Sequence, residues 1–169
     1  GIELRDADHN ALTWGLFYGN EEVFGSIALA DLDPLPGREI VAATWDPLAR
    51  FVVVLDGHGE PLPGWPQPLL AAGDLRGAQV PPVIANLDAS GAPEILLAAR
   101  DGRVYGWHRD GSEIADGDAN PATTGVFFDT HSPFLRSAPG VADLDLGRPG
   151  QEVVFGSTDG KLYVTDATG

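Results

Sequence analysis

Short apolar segments separated by glycine, proline and acidic residues recur along the chain, and they repeat in one pattern. In each copy an apolar run ends in an acidic turn, and a glutamate then opens a second apolar run. These glutamates are Glu39, Glu94 and Glu152, which lie 55 and 58 residues apart. Each second run leads through a turn into a third run, and two of these turns carry the Asp-Gly dipeptide that suits a tight hairpin. The pattern therefore predicts an antiparallel meander in each repeat.

A fourth segment of the repeat is indicated by a match within the chain. Residues 111–128 align without gaps to residues 1–18, at an offset of 110 residues, which is about two repeats. We therefore expect residues 1–19 to form a displaced fourth strand. Four short strands in a repeat of this length, with no amphipathic helix, are typical of β-propeller blades and predict an all-β fold class. The predicted repeats are approximately 20–70, 71–129 and 130–169 of a single domain, 1–169.

The composition narrows the classes of function. Ten basic and 25 acidic side chains give a net charge of −15, so nucleic acid is not an expected partner. Charges or prolines interrupt every apolar run before the about 20 residues that a membrane-spanning helix needs. The absence of cysteine excludes disulfides, zinc–thiolate sites and thiol nucleophiles. The sequence also lacks a G-x-S-x-G serine elbow and any histidine pair with metal-ligand spacing.

The acidic turns resemble those of a known repeat family. They read DLDPLPGRE at 31–39, NLDASGAPE at 86–94 and DLDLGRPGQE at 143–152. The pattern D-x-D-x-D-G-x-x-D/E is similar to that of FG-GAP β-propeller repeats, found in integrin α-subunits, fungal propeller lectins and secreted bacterial proteins. The resemblance covers all three repeats and implies propeller blades, an extracellular or cell-surface location and Ca²⁺ in the loops. The second loop keeps every position, the first has Leu35 at position 5, and the third has one extra residue.

Calcium is the ion that these loops suit chemically. Oxygen atoms at alternate loop positions converge on one point, and calcium accepts about six to eight of them. The alternative is that the same residues stabilise their own turns through hydrogen bonds to the backbone. The candidate metal ligands are Asp31, Asp33 and Glu39 in the first loop, Asn86, Asp88, Ser90 and Glu94 in the second, and Asp143, Asp145 and Glu152 in the third.

Aromatic residues on the strands offer a second kind of candidate site. The lectins of this family imply that a tryptophan could stack on a sugar face beside polar side chains. The alternative is packing, which the equivalent repeat positions of Tyr105 and Tyr163 favour for those two rings. The candidate ligand-binding residues are Trp45, Trp107, Arg103 and His108.

The function that the resemblance implies is an extracellular binding or adhesion module, with calcium bracing loops that face a protein or glycan ligand. One alternative is a propeller hydrolase or lyase acting on polysaccharide, whose active site would need carboxylates from several blades. Another is a non-binding scaffold or an engineered propeller fragment. Three blades cannot close a ring, since propellers typically use about four to eight. The expected partner is therefore a second copy, giving six blades by strand exchange, or the remainder of a longer propeller.

Overall fold

Three antiparallel sheets make up the described part of the chain. The structure is a computed structural model that describes residues 27–33, 35–43, 51–70, 77–88, 90–147 and 149–169. The first sheet contains β1 (Ala28–Ala30), β2 (Glu39–Ala43), β3 (Phe51–Leu55) and β4 (Gln67–Pro68). The second sheet contains β5 (Val83–Ala85), β6 (Glu94–Ala98), β7 (Arg103–Trp107) and β8 (Val126–Asp129). The third sheet contains β9 (Gly140–Ala142), β10 (Glu152–Gly156) and β11 (Leu162–Thr165).

Each sheet is a meander in which strands adjacent along the chain pair with one another. β2 pairs with β1 and β3, β6 with β5 and β7, and β10 with β9 and β11. β4 and β8 add a fourth strand to the first and second sheets. Within the described residues no helix occurs, and hence none that is long and apolar enough to cross a membrane. The predicted all-β class and the antiparallel meanders are confirmed.

Two sequence predictions lie outside the described residues. They are the displaced fourth strand at residues 1–19 and the side chain of Trp45. The segment that matches residues 1–18 ends in β8, which pairs with β7 across a bulge between Val104 and Tyr105. In the second repeat, the matched segment therefore supplies the fourth strand as the sequence predicts.

The main hydrophobic core lies on both faces of the second sheet. Alternate residues of a strand point to opposite faces, and Ile95 and Leu96 of β6 are both fully buried. The ring of Trp107 meets that of Trp65 in the first repeat, with the centroids 5.8 Å apart. On the other side, the ring of Phe128 lies 5.5 Å from that of Tyr163 in the third sheet. The second sheet is therefore the middle layer of three.

The first and third sheets each have one face outside this core. On the first sheet, Val53 and Leu55 belong to a separate small cluster, and Leu29 of β1 is exposed. On the third sheet, Leu162 is 71% exposed and Val164 is 57% exposed. The two end layers thus carry apolar side chains on the faces that point away from the middle layer.

Candidate functional site

The three repeated glutamates occupy equivalent places in the structure. Each opens the second strand of its sheet and is buried, and Glu94 is only 1% exposed. In each case Oε2 accepts a backbone N–H from the acidic loop of the same hairpin. The donors are Leu32 to Glu39 at 2.6 Å, Leu87 to Glu94 at 2.7 Å and Leu144 to Glu152 at 2.7 Å. Because an unpaired buried N–H is costly, this hydrogen bond stabilises the closed loop.

The aspartate at the third position of each loop makes another repeated hydrogen bond. Its Oδ1 accepts the N–H two residues further on, which is the geometry of an Asx turn. The pairs are Asp33 with Leu35 at 2.7 Å, Asp88 with Ser90 at 2.8 Å and Asp145 with Gly147 at 3.1 Å. A later glycine has positive φ in every loop: 139° at Gly37, 91° at Gly91 and 104° at Gly150. The interpretation that these residues stabilise their own turns therefore holds at this position.

The second loop contains a carboxylate oxygen that is not satisfied. Oε1 of Glu94 is buried and has no hydrogen-bond partner among the described residues, and Nδ1 of His108 lies 3.6 Å from it. Burial raises the pKa of Glu94, because desolvation disfavours the charged carboxylate more than the N–H of Leu87 favours it. The pKa of Asp88 is lowered instead, because the N–H of Ser90 stabilises its charged form. The loop therefore combines an ionised carboxylate with a buried one of which one oxygen, Oε1, accepts no hydrogen bond from the described residues.

The first and third loops offer fewer oxygens to a metal ion than the second loop does. In the first, Oδ2 of Asp33 lies 4.0 Å from Nη2 of Arg109, which supplies a counter-charge. In the third, Oε2 of Glu152 accepts two loop N–H groups, at 2.7 and 3.2 Å. Asp31 and Asp143 are exposed. In the part of the chain that the structure describes, no three His, Asp or Glu side chains group closely enough to hold a metal ion.

Trp107 is a core residue rather than an exposed platform for a sugar. Its ring is fully buried and stacks on that of Tyr105, with the centroids 5.6 Å apart. If Gly125 carried a side chain, its Cβ would lie 2.2 Å from Nε1 of Trp107. The backbone at Gly125 therefore packs directly against the ring. No face of the ring is open to a ligand. The sugar-stacking prediction for Trp107 is therefore corrected, because the middle sheet is covered on both faces.

Arg103 and His108 lie at opposite ends of β7 and do not form a common site. Five residues at about 3.3 Å each place their backbones roughly 16 Å apart. Nε of Arg103 donates to Asp129 at 3.0 Å, and its Nη1 donates to Asp101 at 3.3 Å. The side chain of His108 is 39% exposed and lies beside Glu94. The structure therefore separates two of the residues that the sequence grouped as a ligand site.

Tyr105 and Tyr163 pack between neighbouring sheets, as their equivalent repeat positions predict. The ring of Tyr163 stacks on that of Phe155, with the centroids 5.4 Å apart, and meets Phe128 of the middle sheet. The hydroxyl of Tyr105 accepts the backbone N–H of Leu70, in the first repeat, at 2.9 Å. Burial raises the pKa of Tyr105, so the hydroxyl keeps its proton.

A cavity that no sequence motif indicates lies between the segment that precedes β5 and the segment that precedes β9. Two arginines, Arg100 and Arg136, line it together with Gln79 and Leu135. These residues come from three separate stretches of the chain, and no motif joins them. The only sequence signal is the scarcity of basic residues, which makes any pair of arginines unusual here.

The fold and the loops define a β-repeat protein in which every sheet carries one acidic hairpin loop. A scan against protein-family models, a search of curated proteins and a search of solved structures each gave no match. The resemblance to FG-GAP repeats therefore stays a prediction from the loop residues.

Proposed function

We propose that the chain is an extracellular or cell-surface binding module with propeller-type blades and a calcium-braced loop at residues 86–94. The observation that carries the proposal is Oε1 of Glu94, which is buried and accepts no hydrogen bond within the described part of the chain. Leaving such an oxygen unpaired is costly, and a hard cation is a strong partner for a carboxylate. Calcium at this point would satisfy the oxygen and offset part of the net charge of −15.

The second loop supplies the oxygen types that calcium prefers. Asp88 is the ionised carboxylate, and its lowered pKa keeps it charged at neutral pH. Oδ1 of Asn86 accepts the N–H of Gly91 at 3.3 Å, a long hydrogen bond that contact with a cation would readily replace. Ser90 adds a hydroxyl two residues beyond Asp88 in the sequence. The ion would fix the end of the β5–β6 hairpin rather than take part in a reaction, and a protein or glycan ligand would bind elsewhere on the blades.

Calcium should stabilise the protein measurably. Isolated sites of this kind have a Kd of about 0.1–1 mM, so 10 mM calcium should raise the free energy of unfolding by about 1.4–2.7 kcal/mol. Urea denaturation followed by circular dichroism, in calcium and in EDTA, measures this difference. Asp88→Asn should remove most of it, because the loop loses its ionised carboxylate.

Asp116→Asn is a matched control for that measurement. Asp116 is exposed, lies outside the three acidic loops, and accepts the N–H of Asn120 at 2.9 Å, much as Asp88 accepts that of Ser90. The control should keep the full calcium effect. Magnesium should stabilise the protein less, since it demands a stricter octahedral geometry. Equal calcium stabilisation of the wild type and of Asp88→Asn would overturn the assignment of the site.

The outer faces of the end sheets support closure of a propeller by a second copy of the chain. Leu162 of β11 holds the repeat position of Val104 on β7. Val104 pairs with Phe128, whose ring packs on Tyr163 of the third sheet, so this face of the middle sheet contacts the next sheet along the chain. Leu162 would therefore lie where a further sheet packs.

The opposite end of the chain offers the complementary face. Val53 of β3 holds the repeat position of Tyr105, whose hydroxyl contacts the preceding repeat. A second copy whose first sheet packs on the third sheet would therefore repeat the contact that already joins successive sheets. The same contact made twice would close six blades from two chains.

Solution mass tests this assembly. Light scattering in EDTA should give twice the 17.8 kDa of one chain for the wild type. Leu162→Asp should shift the mass towards one chain, because it places a charge on an apolar contact face. Leu146→Asp is the matched control, since Leu146 is 89% exposed in a loop. A wild-type mass of one chain would overturn closure by a second copy.

A further inference from the structure

A cavity of about 280 Å³ with positively charged walls lies at the end of β6. This is the end opposite to the acidic loop that precedes the strand. Its walls include Gln79, Arg100, Leu135 and Arg136. Arg100 follows β6, whereas the acidic loop of that hairpin precedes the strand. None of the described residues lining the cavity is a carboxylate. In a chain with 25 acidic and ten basic side chains, this is a local reversal of the overall charge.

Both guanidinium groups lie against the ring of Phe134. Cζ of Arg100 lies 5.2 Å from the centre of that ring, and Cζ of Arg136 lies 5.6 Å from it. Both distances fall within the roughly 6 Å range of cation–π contacts. Nη1 of Arg100 also donates to Oε1 of Gln79 at 3.2 Å. These contacts fix the orientation of the Arg100 guanidinium without using all of its donors.

One donor of Arg100 has no acceptor among the residues that the structure describes. Its Nε is buried and without a hydrogen-bond partner. A buried donor on a charged group is costly to leave unpaired, so the protein contacts leave this guanidinium incompletely satisfied. Because Nε has almost no accessible surface, a ligand in the cavity would meet the terminal edge of the guanidinium, which carries Nη1 and Nη2. This edge can form two parallel hydrogen bonds with the two oxygens of one carboxylate.

Backbone hydrogen bonds hold the walls of the cavity in place. The N–H of Leu135 donates to the carbonyl of Ala99 at 3.2 Å, and the N–H of Arg100 donates to the carbonyl of Gly77 at 3.0 Å. The segments that precede β5 and β9 are therefore both tied to the turn between β6 and β7. A site whose walls are already ordered loses less entropy when a ligand binds.

We propose that this cavity binds a small carboxylate ligand, with Arg100 as the bidentate anchor and Arg136 as a second positive charge. Leu135 supplies an apolar wall. The volume is near the lower end of the range for small-molecule sites, so the ligand is of monosaccharide or amino-acid size. This site is separate from the acidic loops and does not require calcium.

Nuclear magnetic resonance titration of the ¹⁵N-labelled full chain tests the proposal, in EDTA and at constant ionic strength. The probes are sodium glucuronate, sodium N-acetylaspartate, glucose and inorganic phosphate. At least one of the two carboxylates should bind saturably and shift the Arg100 Nε–H resonance, whereas glucose should not bind. The carboxylate that binds more tightly distinguishes an acidic sugar from an acidic amino acid as the source of the group.

Variants show whether the arginines carry the binding. Arg100→Gln should weaken carboxylate binding about tenfold or more, because it removes a charge-assisted bidentate contact. Arg136→Gln, at an exposed position, should fold normally and weaken binding less. Arg38→Gln makes the same charge change at an exposed position between β1 and β2 and should leave the affinity unchanged. Unchanged affinity in Arg100→Gln, tighter binding of phosphate than of either carboxylate, or no saturable carboxylate binding would overturn the proposal.

Discussion

Replacing Trp107 with alanine should lower the free energy of unfolding by about 3–5 kcal/mol. The ring is fully buried where the first and middle sheets meet, stacked on Tyr105 and in edge contact with Trp65. Its removal leaves a cavity that the surrounding strands cannot fill without disturbing their pairing. Urea denaturation followed by far-ultraviolet circular dichroism measures the loss.

Trp107→Phe separates the loss of packing from the loss of the indole. Nε1 of Trp107 is buried and has no hydrogen-bond partner in the ranges that the structure describes, so its removal breaks no hydrogen bond there. Phenylalanine keeps an aromatic ring against Tyr105, and we expect a clearly smaller loss than for alanine. A loss below about 1 kcal/mol for Trp107→Ala would contradict the core role of this side chain.

Replacing Glu94 with alanine should lower the free energy of unfolding by about 1–3 kcal/mol, because the buried N–H of Leu87 loses its acceptor. Glu94→Gln keeps an acceptor oxygen for that N–H and should retain most of the stability. The two variants should therefore differ from each other in EDTA. Both should lose the stabilisation by calcium, because neither has a carboxylate at this position. Equal stability of alanine and glutamine variants in EDTA would show that the hydrogen bond to Leu87 contributes little.

The pH dependence of stability should also distinguish wild type from Glu94→Gln. Burial raises the pKa of Glu94 in the folded chain, so the folded state binds this proton more tightly than the unfolded state does. Wild-type stability in EDTA, relative to Glu94→Gln, should therefore fall as pH rises from the ordinary value of 4.5 to the raised folded value. Calcium needs the ionised form, so its stabilisation should grow over the same range. Parallel pH profiles for the two proteins in EDTA would contradict a raised pKa.

The strands could be predicted from the sequence because the residues that determine them lie close together along the chain. The glutamate that opens each second strand lies next to the turn that it closes, and Asp-Gly dipeptides mark two of the following hairpins. β6 and β7 pair as predicted around Asp101 and Gly102, and β10 and β11 pair around Asp159 and Gly160. Turn chemistry and strand alternation act over a few residues, so a single sequence contains most of this information.

The sites were less predictable, because they depend on which faces the sheets cover. The apolar alternation of β7 does not distinguish Trp107 on a buried face from Trp107 on an open one. The pattern also presents Glu94 as a ligand, whereas in the structure one of its oxygens already accepts a backbone N–H. Arg100 and Arg136 come together only through packing between repeats. No repeating pattern in the sequence indicates the cavity that they share.

The hydrogen bond from loop to glutamate also bears on how the protein can change over evolution. The third acidic loop is one residue longer than the other two, yet Glu152 accepts the N–H of Leu144 at the same 2.7 Å that joins Glu94 and Leu87. The N–H of Gln151, beyond the tip of the third loop, also donates to the carbonyl of Leu87 in the second loop at 2.8 Å, so the base of the loop keeps its place despite the extra residue. The tip of the third loop around Leu146, which is 89% exposed, is therefore a position where insertions, or short peptides grafted by design, can be accommodated while the layered core keeps its packing.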